Sequence, residues 1–257
     1  MKRHMPRMPW VLTRPCRRSV VGGTARAAEL VCPLREGVGE EWTVRMTGTN
    51  DRGRIIIDLF STLDGVVQAP GGPEEDPSGG FRFGGWQVPF EDEEIGADIM
   101  AGLQSMDALL LGRRTYDIFA SYWPHHVDGP EGAVGRLINS VPKYVASRGT
   151  WTPEWENTRI LGDDTVAEVD ALRDRHRSIH VIGSADFVQT LLAAQVFDEL
   201  KLWTYPLVLG QGKRVFPEGA VPATLCLLAP ATTSAQGVLT LRYGPRDLDP
   251  RTGDVGE

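Results

Sequence analysis

From residue 52 onward, short apolar runs alternate with apolar stripes at helical spacing. Arg54-Ile-Ile-Ile-Asp-Leu-Phe60 is a compact apolar run suited to a buried strand, and Thr62-Leu-Asp-Gly65 closes it with turn residues. Ile95, Ile99, Leu103 and Met106 follow at spacings of four, four and three, which puts them on one face of a helix. The carboxylates Glu91 to Glu94 fall in its first turn, where the helix dipole favours negative charge. Ala108-Leu-Leu-Leu111 then reads as a strand and Gly112-Arg113-Arg114 as a tight turn. Thr115 is placed to cap a second helix carrying Tyr116, Phe119 and Trp123. Lys143 to Ala146 is a further strand, and Val166, Val169 and Leu172 mark a helix. Ile179-His-Val-Ile182 is a strand running into Gly183-Ser184 and the helix of Phe187, Leu191 and Leu192. Leu200 to Val208 reads as one long strand broken by Gly210-Gln-Gly212, and Val238 to Tyr243 as a terminal edge strand. Strands separated by helices imply βαβ units, hence an α/β protein with a largely parallel sheet covered on both faces.

Two stretches lack either period. Residues 68–85 are dominated by Gly, Pro and acidic residues and read as a long loop, a kind that in compact domains is usually functional or disordered. Residues 1–45 are rich in Arg and Pro. The Arg17-Arg18 pair raises a targeting segment, but Gly22-Gly23 and Arg26 interrupt any apolar core after it, and Val31 is not the small residue a lipoprotein site before Cys32 requires. A disordered extension, or a start at Met46, is the expectation. The organisation read here is an extension over 1–51, one domain over 52–246 and a flexible tail over 247–257.

Composition narrows the function. A net charge of −7 argues against a nucleic-acid partner, since phosphate backbones call for concentrated Lys and Arg. No apolar run approaches the ~20 residues of a membrane span. Three scattered cysteines, Cys16, Cys32 and Cys226, form neither a disulfide framework nor a Cys-x-x-Cys zinc pair, so no metal is expected and a cytoplasmic, reducing setting fits best.

In sheets of this kind ligands bind outside the carboxyl ends of the strands, where glycine-bearing turns open helix N-termini. Three such turns follow Leu111, Ala146 and Ile182. Gly183-Ser184 lets backbone amides approach a pyrophosphate, Arg113 and Arg114 offer bidentate grips on phosphate, and Ser147 and Arg148 add a hydroxyl and a third guanidinium. The clustered arginines suit NADPH better than NADH, because the 2′-phosphate needs cations.

These residues carry a family resemblance. Leu110-Leu-Gly-Arg-Arg-Thr-Tyr-Asp-Ile-Phe-Ala-Ser-Tyr-Trp-Pro124 resembles the Gly-Arg-x-Thr-Tyr segment of dihydrofolate-reductase-like proteins. So do Ser61-Thr-Leu-Asp-Gly65, Val181-Ile-Gly-Ser184 and Tyr205-Pro-Leu-Val-Leu-Gly-Gln-Gly-Lys-Arg-Val-Phe216. Together, over about residues 53 to 245, they resemble the reductase domain of the bifunctional riboflavin-pathway deaminase-reductase and its stand-alone relatives. The resemblance implies a three-layer αβα fold whose mixed, mostly parallel sheet has an antiparallel C-terminal strand. It also implies an NADPH-dependent reductase of 5-amino-6-(5-phosphoribosylamino)uracil type. It assigns Gly112, Arg113, Arg114, Thr115, Ser147 and Arg148 to the adenosine-phosphate and pyrophosphate region. Gly183, Ser184, Ala185 and Phe187 become a second phosphate loop, and Gly65, Val66 and Val67 the loop against the nicotinamide. The zinc motif of the deaminase half is absent.

Asp64, beside the nicotinamide loop, and Glu91 are the candidates for handling charge at the reacting centre. Trp86-Gln-Val-Pro-Phe-Glu91 resembles the Trp-x-Leu-Pro-x-Asp stretch of dihydrofolate reductases, which would set Glu91 against a heterocyclic amidine. Two plainer roles stay open: Glu91 as a helix-start acid, and Asp64 as half of an Asp-Gly turn. Trp86, after Gly84-Gly85, is the candidate for stacking on substrate. Other readings are a pterin or xenobiotic reductase on the same fold, and a non-catalytic nucleotide- or flavin-binding protein. The long strand from Leu200 and the terminal strand offer a route to a homodimer.

Overall fold

A computed structural model describes residues 52–90, 92–246, 250 and 252–254. The extension over 1–51 lies outside the described residues, as does most of the 247–257 tail. Nine strands form one sheet in the order β4-β3-β2-β5-β1-β6-β9-β7, with β8 also pairing with β9. The first six of these are mutually parallel: β1 (Arg54–Thr62), β2 (Ala108–Gly112), β3 (Lys143–Ala146), β4 (Thr158–Ile160), β5 (Ser178–Ile182) and β6 (Glu199–Tyr205). Beyond β6 the sheet turns antiparallel through β9 (Leu239–Pro245), which pairs with β7 (Leu225–Leu227) and β8 (Thr232–Thr233). The mixed, three-layer architecture expected from the motifs is the one observed.

Alternation along the strands divides the core in two. Ile55, Ile57 and Leu59 of β1 and Ile179 and Val181 of β5 face α4 (Thr165–Leu172) and α5 (Ala185–Ala193), whose Val169, Leu172, Phe187, Val188 and Leu191 cover them. Leu109, Leu111 and Val145 face the other way. They pack under α1 (Glu93–Ser105), α2 (Arg113–Tyr122) and α3 (Gly132–Ser140). β2 is buried at all five positions because it has strands on both sides and helices on both faces. Asp92 caps α1, its carboxylate accepting from the amides of Glu94 and Ile95.

Three expectations change. The strand read from Leu200 stops at Tyr205, because Pro206 has no N–H to continue the ladder. The terminal strand is not an edge, since β9 has β6 on one side and β7 and β8 on the other. Both edges of β6 and of β9 are therefore taken, so a homodimer cannot form by pairing these strands. Finally, α2 begins at Arg113 with Gly112 before it, so Thr115 sits in the first turn and is not its cap. No helix among the described residues is long and apolar enough to cross a membrane.

The parallel and antiparallel halves are tied by a buried carboxylate. Glu199 is 2% exposed and accepts from Arg242 of β9 at 2.5 and 2.9 Å and from Arg54 of β1 at 3.2 Å. Burial acts to raise its carboxyl. The Arg242 hydrogen bonds and the charges of Arg242, Arg54 and Lys201 outweigh that and hold it below its ordinary value of 4.5. A carboxyl lowered in the folded state contributes stability above its unfolded value and loses it as pH falls through the folded one. Wild-type stability should therefore drop as pH falls below about 4.5, while Glu199→Gln costs about 2 kcal/mol at neutral pH and shows a flatter acid limb. Urea unfolding across pH measures both.

Candidate active site

The carboxyl ends of β2, β3 and β5 open on one cleft of about 810 Å³. Its outer half is made by the three turns that follow those strands. After β5 the chain makes two left-handed residues in succession, Gly183 and Ser184, both at φ +64°. Only glycine adopts this freely, so the serine is strained and must be held. Its hydroxyl supplies the hold. It accepts from the Gly112 amide at 2.8 Å and donates to Thr115 Oγ1 at 2.9 Å, joining the turn after β5 to the turn after β2. The approach is close, since a Cβ on Gly112 would lie 3.2 Å from the Ser184 Cβ and 3.3 Å from the Phe187 Cβ. Neither α2 nor α5 has a side-chain cap, so both present their first amides to the cleft. α4 differs, with Asp164 capping it by accepting from the Ala167 amide at 3.1 Å.

The three arginines fare differently. Arg113 is committed: its Nε donates to both oxygens of Asp117 at 2.8 and 2.9 Å, and its guanidinium lies 3.9 Å from the Trp151 ring. Arg114 donates to Ser78 Oγ at 3.0 Å, which ties the 68–85 segment to α2. Arg148 lines the cleft and makes no hydrogen bond or ion pair among the described residues. Ser147 bonds within its own turn, to Gly149.

The 68–85 segment folds over the cleft. Gln68 is its hub, donating to the carbonyls of Asp76 and Ser78 at 2.9 and 3.0 Å and accepting from the Lys213 amide at 3.0 Å. Lys213 in turn pairs with Asp76 at 2.5 Å. Glu75 lines the cleft from this segment and accepts from the Gly71 amide at 2.7 Å. Burial pushes its carboxyl up to about 7 against the pull of the Gly71 and Gly72 amides.

Several expected site residues are placed elsewhere. Asp64 does not border the cleft. Its carboxylate accepts from Thr62 Oγ1 at 2.6 Å and from the amides of Leu209 and Gly210, and it faces Arg214 at 3.3 Å. Burial acts to raise it, but these bonds leave it lowered and pin the turn after β1 to the 209–214 loop. Gly65 has φ +79° in that turn and Val66 is fully buried; the residues of this stretch that reach the cleft are Val67 to Gly71. Trp86 is a core residue, 6% exposed, donating to the Gln68 carbonyl at 2.8 Å and lying edge-on to Tyr205. Glu91 lies outside the described residues.

The inner half of the cleft was missed. It lies between α1 and the sheet and is bordered by Asp58, Phe60, Ile99, Leu103, His180 and Trp203. Phe60 and Trp203 are adjacent rings, 5.1 Å apart and tilted by 33°. The available signal was a charged or polar residue, Asp58 or His180, inside a run that otherwise reads as wholly apolar.

Comparison with known proteins agrees with this architecture. Among solved structures, the fold is similar to a pyrimidine reductase-like protein from Corynebacterium diphtheriae, with a TM-score of 0.51 at 16% identity, covering 76% of this chain and 93% of that one. It is also similar to a diaminohydroxyphosphoribosylaminopyrimidine deaminase/5-amino-6-(5-phosphoribosylamino)uracil reductase from Thermotoga maritima. There the TM-score is 0.50 at 15% identity, over 77% of this chain and 58% of that longer one. In sequence, the chain is 30% identical over 201 residues to the uncharacterised protein YyaP of Bacillus subtilis (strain 168), spanning 77% of this chain and 98% of that relative. Residues 54–240 match the family model of the RibD C-terminal domain, and the chain belongs to that family.

Proposed function

We propose that the protein is an NADPH-dependent reductase that binds its cofactor along the ends of β2, β3 and β5 and reduces a small heterocyclic acceptor in the inner half of the cleft. The observation that carries this reading is the pair of uncapped helix N-termini, α2 and α5, held side by side by Ser184 with glycines at the points of closest approach. Backbone amides of that kind suit a pyrophosphate. When bound, NADPH supplies a hydride from its nicotinamide. The chain's residues bind, orient and exclude water. Arg148 is the cation for the 2′-phosphate, because it lines the cleft with its guanidinium uncommitted, whereas Arg113 is held by Asp117 and Trp151. Reduction also needs a proton, and Glu75 is the carboxyl suited to give it. It lines the cleft and is pushed up to about 7, close to the value an acid needs near neutral pH.

Quenching of tryptophan fluorescence on titration with NADPH and NADH tests the cofactor assignment. NADPH should bind the more tightly, and Arg148→Ala should weaken it about tenfold while leaving NADH unchanged, the loss expected for one charge-assisted grip. Failure of both nucleotides to bind would overturn the reading and favour a non-catalytic binding protein. For the proton, turnover should fall as pH rises through about 7, where Glu75 gives up its proton. Glu75→Gln should be about 100-fold slower and lose that alkaline limb, as read from NADPH oxidation with any acceptor found by screening.

A further inference from the structure

The segment over the cleft has two parts. Its base is packed: Gly71 and Gly72 are buried, a Cβ on Gly84 would lie 2.6 Å from the Gly72 carbonyl oxygen, and Phe81 sits in the core. Glu75 belongs to this base, because its carboxylate accepts from the Gly71 amide and its own amide donates to the Gly72 carbonyl at 3.2 Å. The tip, residues 76–80, packs far less. A Cβ on Gly79 or Gly80 would meet nothing within 4 Å, and Pro77, Gly79 and Gly80 are exposed. Gln68 holds the carbonyls of Asp76 and Ser78 from within the segment. Beyond it, among the described residues, only Lys213 and Arg114 fasten the tip by hydrogen bond or ion pair.

Both of these cations reach Asp76. Its Oδ2 accepts from Lys213 Nζ at 2.5 Å, and its Oδ1 lies 3.9 Å from Arg114 Nη1. Oδ1 also accepts from Ser78 Oγ at 2.6 Å, and that hydroxyl in turn accepts from Arg114 at 3.0 Å. Burial acts to raise the Asp76 carboxyl, but the Lys213 and Ser78 hydrogen bonds and the Lys213 charge outweigh it and hold it below its ordinary value of 3.8. Asp76 is thus an anion at neutral pH, its side chain 12% exposed, seated between a lysine from the loop after β6 and an arginine from α2. All three residues line the cleft. A phosphoryl group bridges two cations in the same way with two of its oxygens, and carries up to twice the charge. The tip therefore puts a carboxylate where cations of the cleft would receive a phosphate.

We infer that Asp76 is a built-in competitor: it fills an anion seat of Lys213 and Arg114 that a phosphoryl group of an incoming ligand takes over, and losing the seat frees the tip. The base and Glu75 stay in place, since neither is held by these two side chains. The competition applies to any phosphoryl ligand of the cleft and does not rest on the reductase reading above.

The experiment uses the full chain with inorganic pyrophosphate as the first probe. A site blocked by its own chain loses affinity in proportion to the time it is blocked, so Asp76→Asn should bind pyrophosphate about tenfold more tightly in calorimetric titration. Glu74→Gln makes the same change of charge on the exposed residue two places away and should stay within about twofold of wild type. Hydrogen exchange reads the tip directly. Pyrophosphate should speed exchange at the amides of Asp76 and Ser78 to Gly80 in the wild type, and leave Asp76→Asn, already fast, unchanged. Equal or weaker pyrophosphate binding in Asp76→Asn, with its fold confirmed by its thermal transition, would overturn the inference. If Asp76→Asn does not fold, exchange in the wild type still decides. Repeating the exchange with NADPH and with ribose 5-phosphate tells a cofactor phosphate from a substrate phosphate, and a tip unmoved by all three anions overturns the inference. The two claims fail separately: a tip released by pyrophosphate in a protein that binds no NADPH sinks the reductase reading alone, and NADPH bound beneath a tip that no anion moves sinks this inference alone.

Discussion

The hydroxyl of Ser184 holds the outer site together. Two glycine-bearing turns from different strands must lie nearly in contact for two helix N-termini to point at one ligand; the β2–β5 ladder brings them alongside as far as Leu110 and Val181, and a side chain closes the remaining gap. Ser184 does so by accepting from the Gly112 amide and donating to Thr115. To reach that position it takes a left-handed conformation costing roughly 1–2 kcal/mol for a residue with a Cβ. Two hydrogen bonds, each worth about 1 kcal/mol net, offset that cost. The residue is therefore constrained from both sides. Glycine would relieve the strain but release the turns, and alanine would keep the strain and leave the Gly112 amide without its acceptor.

The same logic governs the segment over the cleft. Residues 68–85 have no regular secondary structure beyond one short 3-10 turn at Ser78–Gly80, yet Gln68, Ala69 and Phe81 are buried. Their order comes from partners far along the chain: Lys213 on Gln68 and Asp76, and Arg114 on Ser78. The cover over the cleft is thereby fastened both to α2 and to the loop after β6, so it shares residues with the walls of the site it closes.

What could be read from sequence and what could not divides along this line. Strands such as Ala108–Gly112 and Ser178–Ile182, and the helices after them, were legible because burial on two faces leaves an uninterrupted apolar run and glycine marks its end. The short strands β4 and β7 were not, since three residues with a charged Arg159 or with prolines on either side carry no usable period. The direction of a side chain in a turn was also hidden. Trp86 turns inward and Asp64 turns to Leu209 and Gly210 because of contacts made 18 and about 145 residues away, which local pattern does not contain. For the site itself, the three strand-end turns could be found from glycine and arginine, but the arginine left uncommitted could not. Arg113 and Arg148 look alike until Asp117 and Trp151 are seen to take the first.

The polar row beneath α1 poses the sharpest physical question. Asp58, His180 and Lys201 occupy a surface that could be filled with aliphatic side chains, like the neighbouring Leu109 and Leu111. Replacing buried ionic groups with apolar ones of similar volume is often neutral or stabilising, so stability does not explain their presence. α1 accommodates them at Gly102, where an added Cβ would lie 3.7 Å from the His180 ring, while Ser105 reaches the same ring and Asp98 receives both Lys201 and the Trp203 indole. A network built only to satisfy itself would close on itself. This one leaves an oxygen of Asp58 at the edge of the cleft, which is where a group serving a ligand has to be.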